Sequence, residues 1–299
     1  MQTDRILVAT DLSAEAAWAE ERGAMLARSA GARLDLVHVV ADTLLAAWRA
    51  AMLGQDSDVL LSDARQQLSR ATQRLRDDVQ IDVESQVVTG TPHRAVLDTA
   101  DRLGSRLIVA GAHGRHPLHT LILGSVTEKL LYRTERPLLI TKRQPREGYG
   151  HVLAAVDFSP PAAAAVRLAS ELAAGAAFTL YHAVESPFEG MLRIAGVERE
   201  KVEAHRRETI QDAEREMQRF VTTCGLPSSL AARRVEYGYP TALIEAALQA
   251  HGPDLLVLGK HGRSAVERWM VGSVTAHMTR VAQCDVLVVP MSDGAVQSG

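Results

Sequence analysis

GAHGRHPLHTLILGSVT, residues Gly111–Thr127, recurs as GKHGRSAVERWMVGSVT at Gly259–Thr275. Each copy carries Gly-x-x-Gly, then nine residues, then Gly-Ser, and each follows a short apolar run that predicts a strand, Arg106–Ala110 in the first copy. A motif that recurs at a fixed offset indicates a duplicated structural unit. The stretch therefore predicts that the chain contains two copies of one fold.

The repeat extends over the rest of the chain. RILVATDLS (Arg5–Ser13) matches HVLAAVDFS (His151–Ser159), and RPLLIT (Arg136–Thr141) matches CDVLVVP (Cys284–Pro290). The segment between the halves, Lys142–Gly150, has the composition of a linker. We therefore expect two domains, and the predicted bounds are residues 1–145 and 149–293.

Apolar runs alternate with helical patterns in both halves. Ser13 precedes a helix that is expected to end at Gly31, and its counterpart is expected to run from Pro160 to Gly175. Strands that alternate with helices imply a parallel sheet with helices on both faces. The predicted fold is α/β, with two tandem, doubly wound, five-stranded parallel sheets of Rossmann-like type. The alternative is one large ten-stranded domain, although a duplicated plan more naturally forms two cores.

The glycine loops are suited to bind an anion. Glycine lets the backbone approach a ligand closely, and Gly124–Ser125 and Gly272–Ser273 each precede a helical run whose first amides would attract phosphate. Arg115 and Arg263, each directly after the second glycine, could meet a phosphate from the side. The alternative is a glycine turn with a serine cap and no ligand. Neither a Walker A loop nor the dinucleotide-binding glycine fingerprint is present.

An aspartate ends the first predicted strand of each half. Ligands of open α/β sheets bind at the carboxyl ends of the strands, at the topological switch point. In a sheet ordered 3-2-1-4-5, strands 1 and 4 are neighbours. Asp11 would then flank the same crevice as Gly111, and Asp157 the same crevice as Gly259. A helix-capping role for each aspartate is the alternative, and both roles could hold together.

These motifs, in this order, resemble the universal stress protein family over nearly the whole chain. VATDLS, VVTGTP, GAHG-x9-GSVT and RPLLIT carry the resemblance in the first half, and AVDFS, VEYGYP, GKHG-x9-GSVT and CDVLVVP carry it in the second. The resemblance implies a tandem member of the ATP-binding branch, which has this glycine motif. It also implies a nucleotide-dependent stress-response regulator that binds ATP, with or without Mg²⁺, and an as yet unknown regulatory protein partner.

The resemblance further implies one nucleotide site in each half. The aspartate and the backbone of the second strand would hold adenine, the first glycine would approach the ribose, and the later loop residues would hold the phosphates. The implied residues are Asp11, Val39, Gly111, Gly114, Gly124, Ser125 and Val126 in the first half. Those in the second half are Asp157, Ala183, Gly259, Gly262, Gly272, Ser273 and Val274. Thr10 beside Asp11 becomes Val156, so the two sites are expected to differ in affinity.

Composition argues against several other functions. A net charge of -3 predicts neither a nucleic-acid nor a membrane partner, and no apolar run approaches the ~20 residues that span a bilayer. Met1 leads directly into a strand pattern, so no signal peptide is expected. With two lone cysteines, Cys224 and Cys284, these features favour a cytoplasmic protein.

The remaining patterns leave the chemistry open. His113, His116 and His119 are spaced by three, but the second half keeps only His261, so no metal site is expected. Since no paired carboxylates stand out near the loops, dedicated catalysis is not expected. A slow ATPase or nucleotidyl transferase is one alternative, and an interaction scaffold with a structural nucleotide is another. The resemblance implies pairing through the fifth strands, within one monomer or in a homodimer.

Overall fold

The chain folds into two compact units, Met1–Gly148 and Tyr149–Gly299. The structure is a computed structural model that describes residues 4–51, 58–114, 123–185, 198–227, 231–262 and 270–291, with the backbone alone for residues 48–51. Within these ranges, no helix is long and apolar enough to cross a membrane. Cys224 and Cys284 are both buried, and neither forms a disulfide.

The first unit is a five-stranded parallel sheet with the strand order β3-β2-β1-β4-β5. Its described elements, in chain order, are β1 (Arg5–Thr10), α1 (Ala14–Ala30), β2 (Arg33–Ala41), α2 (Asp42–Ala51), α3 (Asp58–Val79), β3 (Val83–Gly90), α4 (Pro92–Leu103), β4 (Leu107–Gly111), α5 (Ser125–Arg133) and β5 (Leu138–Thr141). The order reverses between β1 and β4, and this switch point is where a ligand crevice is expected.

The second unit repeats the plan with the strand order β8-β7-β6-β9-β10. Its described elements are β6 (His151–Ala155), α6 (Pro160–Leu172), β7 (Ala177–Val184), α7 (Arg199–Cys224), β8 (Ala231–Tyr237), α8 (Pro240–His251), β9 (Leu255–Gly259), α9 (Ser273–Val281) and β10 (Asp285–Val289). The predicted fold class, with two doubly wound five-stranded sheets, is confirmed.

Strand burial and helix caps explain why these residues form these elements. Leu7 and Val8 of β1 are fully buried, as a strand covered by helices on both faces requires. The Ser13 hydroxyl accepts the Ala16 N–H at 3.1 Å and begins α1, which ends at Gly31 with φ of 61°. The sequence predicted both ends of this helix correctly.

The end of α6 differs from the prediction. The helix was expected to continue to Gly175, but it ends at Leu172, and Ala173 makes the last helical hydrogen bond to the Ala169 carbonyl at 2.8 Å. Ala173 leaves the helical region with φ of -119°, and the chain turns through Gly175 at φ of 86°. Gly175 therefore belongs to the turn before β7, and the run of alanines gives no local signal of where the helix stops.

Candidate functional site

Strand pairing brings each aspartate to its glycine loop. In the first unit Ala9 of β1 pairs with Ala110 of β4, so Asp11 leaves the sheet beside the loop that follows β4. A Cβ atom added to Gly114 would lie 2.9 Å from Oδ2 of Asp11. In the second unit a Cβ atom added to Gly262 would lie 3.2 Å from Oδ2 of Asp157. A side chain at Gly114 would displace the Asp11 carboxylate, and one at Gly262 would press against that of Asp157.

Each aspartate also closes the turn between its strand and the next helix. The Ser13 N–H donates to Oδ1 of Asp11 at 3.0 Å, and the Ser159 N–H donates to Oδ1 of Asp157 at 3.1 Å. The Ser159 hydroxyl donates to the same Asp157 oxygen at 2.5 Å. The side chains that cap the two helices are those of Ser13 and Ser159, so each aspartate supports the turn before the helix through Oδ1, while Oδ2 faces the glycine loop.

A bulky residue follows each aspartate in a conformation that favours glycine. Leu12 has φ of 61° and Phe158 has φ of 63°, which places both in the left-handed region. This region costs an ordinary side chain about 1–2 kcal/mol. Backbone strain of this kind clusters at functional sites, and here it recurs at the same position in both units. Residue type gave no signal of it, since leucine and phenylalanine are not typical left-handed residues.

Hydrogen bonds hold the start of the helix after each loop against the end of the strand before that loop, β4 or β9. The N–H of Gly124 donates to the Ala112 carbonyl at 2.7 Å, and the Thr127 hydroxyl donates to the Gly111 carbonyl at 2.7 Å. The second unit repeats both bonds at 2.9 Å and 2.8 Å. The N-cap residue of both α5 and α9 is glycine, which has no side chain to accept a hydrogen bond from the first-turn amides. The first-turn amides of both helices therefore lie at the loops, as an anion site requires.

In the second unit these parts surround one cleft of about 550 Å³. This volume lies within the range of pockets that bind small molecules. Seven of the eight residues that the sequence singled out in this half line it, namely Asp157, Ala183, Gly259, Gly262, Gly272, Ser273 and Val274. The eighth, Arg263, lies outside the described residues.

The walls of the cleft include residues outside the predicted set. Ile244 of α8 and Leu258 of β9 are buried and give the cleft an apolar side. Tyr181 is 1% exposed, and burial together with its hydrogen bond to Glu236 raises the pKa of its hydroxyl, which stays protonated. His182 donates from Nδ1 to the Val156 carbonyl at 2.7 Å. Helical and strand periodicity marks such positions as buried, but it does not show that they border a cavity.

In the first unit the predicted residues take matching places in the fold. Gly111 ends β4, Ser125 and Val126 begin α5, and Val39 lies on β2, which pairs directly with β1. Arg115 lies outside the described residues, as do His116 and His119. In the described part of the chain, no group of three or more His, Cys, Asp or Glu side chains could hold a metal ion.

Comparison with known proteins agrees with this architecture. The model of the universal stress protein family matches residues 2–142 and again residues 148–290. The chain belongs to the universal stress protein family. A universal stress protein from Archaeoglobus fulgidus has a similar structure, with a TM-score of 0.65 and 19% identity, over 98% of this chain and 100% of that one. At this identity the similarity shows the fold alone.

Two further proteins are similar to this chain. A Pseudomonas aeruginosa structure described as a universal stress protein matches with a TM-score of 0.66 and 22% identity, over 96% of this chain and 93% of that one. A universal stress protein from Methanocaldococcus jannaschii is 32% identical over 85 residues, which are 28% of this chain. The chain spans 52% of the length of that relative, so the match covers about half of it.

Proposed function

We propose that each unit binds ATP in the cleft between its aspartate turn and its glycine loop. The observation that carries the proposal is the second-unit cleft, where one cavity of about 550 Å³ is bordered by Asp157 and by the whole described part of the glycine motif. The first unit repeats the close approach of Asp11 to Gly114 and is proposed to bind the same ligand.

The chemistry of the cleft suits the three parts of the nucleotide. The apolar side formed by Ile244 and Leu258 would cover the adenine ring, and the edge of the ring would meet the backbone at Ala183. Asp157 offers a carboxylate to the polar groups of the nucleoside. The first turn of α9, which begins at Ser273, would face the phosphates with its amides. ATP would bind with or without Mg²⁺.

In this proposal the bound nucleotide makes the chain a stress-response regulator in the cytoplasm. A ligand that contacts both the aspartate turn and the start of the following helix favours the conformation in which the two are held together. The surface around the loop would then be read by a regulatory protein partner. The chain would act either as a monomer whose fifth strands pair or as a homodimer.

A single methyl group tests whether a ligand occupies the second cleft. At Gly272 the backbone has φ of -58°, which alanine adopts freely, and an added Cβ would lie 3.7 Å from the nearest protein atom. Gly272→Ala is therefore expected to leave the fold intact and to weaken the second site at least tenfold by entering the space of the phosphates. Gly148→Ala is the matched control, because nothing lies within 4 Å of its added Cβ.

The readout is isothermal titration with ATP, together with the shift of the thermal midpoint. The unsubstituted chain and Gly148→Ala are expected to bind two ATP molecules, and Gly272→Ala is expected to bind one. Absence of ATP binding by the unsubstituted chain would refute the proposal. Two sites of unchanged affinity in Gly272→Ala would show that the nucleotide does not lie against this loop.

A further inference from the structure

The two aspartate turns are supported by different chemistry. In the first unit Thr10 ends β1, and its hydroxyl meets Glu20 of α1. In the second unit the corresponding residues are Val156 and Val166, both of which are buried. A polar pair in one copy of the fold has therefore been replaced by an apolar pair in the other. The fold itself requires neither, since both units form the same strand, turn and helix.

The Thr10 hydroxyl connects Glu20 to the turn that carries Asp11. It donates to Oε1 of Glu20 at 2.6 Å and accepts the N–H of Leu12 at 3.0 Å. A hydroxyl has one proton to donate. Because the ionised carboxylate can only accept, it takes that proton and leaves an oxygen lone pair for Leu12. Leu12 is the residue held in the left-handed region directly after Asp11.

Glu20 is itself held from the opposite side. Nη2 of Arg74 on α3 donates to Oε2 of Glu20 at 2.8 Å, while Glu20 is 2% exposed. The other charged groups around this carboxylate are Glu21 on α1 and Arg70, which lines the same recess of about 330 Å³. The Arg74 side chain is 46% exposed, so the buried contact is the hydrogen bond between Glu20 and Thr10, and replacing both partners of such a bond by apolar groups can be nearly neutral or stabilising. The second unit shows that this replacement is compatible with the fold.

Packing takes the place of this network in the second unit. The Phe158 ring lies 4.2 Å from the His182 ring and 5.6 Å from the Phe220 ring of α7. This packing and the hydrogen bond from the Ser159 hydroxyl to Asp157 support the turn. The support in the second unit therefore contains no carboxylate that corresponds to Glu20.

We propose that Glu20 is a positioning residue of the first nucleotide site: through Thr10 it fixes the turn that carries Asp11, and it makes the affinity of this site depend on a charge that the second site lacks. The inference rests on the proposed function. Its consequence is that the two clefts of one chain respond differently to acidification. As pH falls and Glu20 takes up a proton, its carboxyl gains a donor of its own, and the turn loses the arrangement that orients Leu12.

The test transfers the apolar pair of the second unit into the first. Thr10→Val with Glu20→Val is made in the full chain that also carries Gly272→Ala, so that ATP titration reports the first site. The double change is expected to weaken ATP binding about tenfold, the equivalent of one hydrogen bond that orients the turn. It is expected to leave the unfolding midpoint unchanged or higher. A merely structural pair would instead lower stability and affinity together.

Two comparisons complete the experiment. Glu20→Gln keeps an acceptor for Thr10 but loses the charge, so its affinity is expected to lie between those of the parent chain and the double variant. The affinity ratio between the parent and the double variant is expected to approach one as pH falls. A ratio within twofold of one at neutral pH overturns the inference while the proposed function stands. Failure of the unsubstituted chain to bind ATP overturns both.

Discussion

The interaction between the buried side chains of Thr10 and Glu20 can be measured by a double-mutant cycle. The apolar pair that the double change produces already occurs in the second unit. The perturbations are Thr10→Val, Glu20→Val and the two together. The double variant reproduces the apolar pair Val156 and Val166, which lies at the same place in a folded unit. It is therefore expected to fold, and the comparison of the four chains isolates the interaction between the two side chains.

Each single change leaves a buried polar group without its partner. Thr10→Val leaves the Glu20 carboxylate dependent on Arg74 alone, and a stripped acceptor of this kind costs about 1–3 kcal/mol. Glu20→Val leaves the Thr10 hydroxyl without an acceptor, at a similar cost. The double change removes both groups and is expected to be nearly neutral or slightly stabilising, because apolar groups then replace both partners of a buried hydrogen bond. The coupling energy is then at least about 2 kcal/mol.

The sign of the pH dependence follows from the Glu20 carboxyl. Burial raises the pKa of this group above its ordinary value, against the opposing effects of the Thr10 hydroxyl and Arg74. Such a group favours folding below its unfolded pKa, and this contribution is lost as pH rises through the folded pKa. The advantage of the double variant over the unsubstituted chain is therefore expected to be largest at neutral pH and to shrink in acid.

Hydrogen exchange measured by mass spectrometry separates the two units within one sample. The exchange rate of peptides from β1, Arg5–Thr10, reports how each change affects the stability of the first unit. Peptides from β6, His151–Ala155, serve as the internal control. The double variant should exchange no faster in β1 than the unsubstituted chain, while both single variants should exchange faster. Additive effects of the two single changes, or a double variant less protected than either, would refute the argument.

Three further predictions concern other described residues. Gly114→Ala places its Cβ 2.9 Å from the Asp11 carboxylate, so it should destabilise the first unit by about 1 kcal/mol in urea unfolding and displace the carboxylate, with a larger loss of ATP affinity. Phe158→Gly should be more stable than Phe158→Ala by about 1 kcal/mol, because only glycine is relaxed at φ of 63°, and equal stabilities would contradict the strain. Burial raises the pKa of the Cys224 thiol to about 11, so alkylation at pH 8, followed by mass spectrometry, should be slow until the chain is unfolded.

Much of the fold could be predicted from the sequence because its motifs occur twice, and the second copy supports assignments that one copy alone would leave open. Ser13 and Gly31 mark the ends of α1 with residue types that suit those positions, and the alternating pattern predicts the parallel sheets. The contacts that support the turn after β1 could not be predicted from the sequence. Glu20 lies on a helix that carries several charges and looks exposed, and only the packing of α1 against β1 brings it to Thr10. Likewise, the left-handed Leu12 follows from its surroundings and not from its type.

The carbonyl groups of the glycine loop have a consequence for which ligands the loop can recognise. The carbonyls of Gly111 and Ala112 each accept a hydrogen bond from within the protein, one from Thr127 and the other from Gly124. Because these carbonyl oxygens already accept hydrogen bonds, a ligand at the glycine loop would meet the N–H groups, which are the positive ends of the peptide dipoles. These dipoles do not titrate, so their own pull on a phosphate would be the same across the pH range in which the fold is stable. Any change with acidity must then come from titratable side chains around the cleft or from the nucleotide itself.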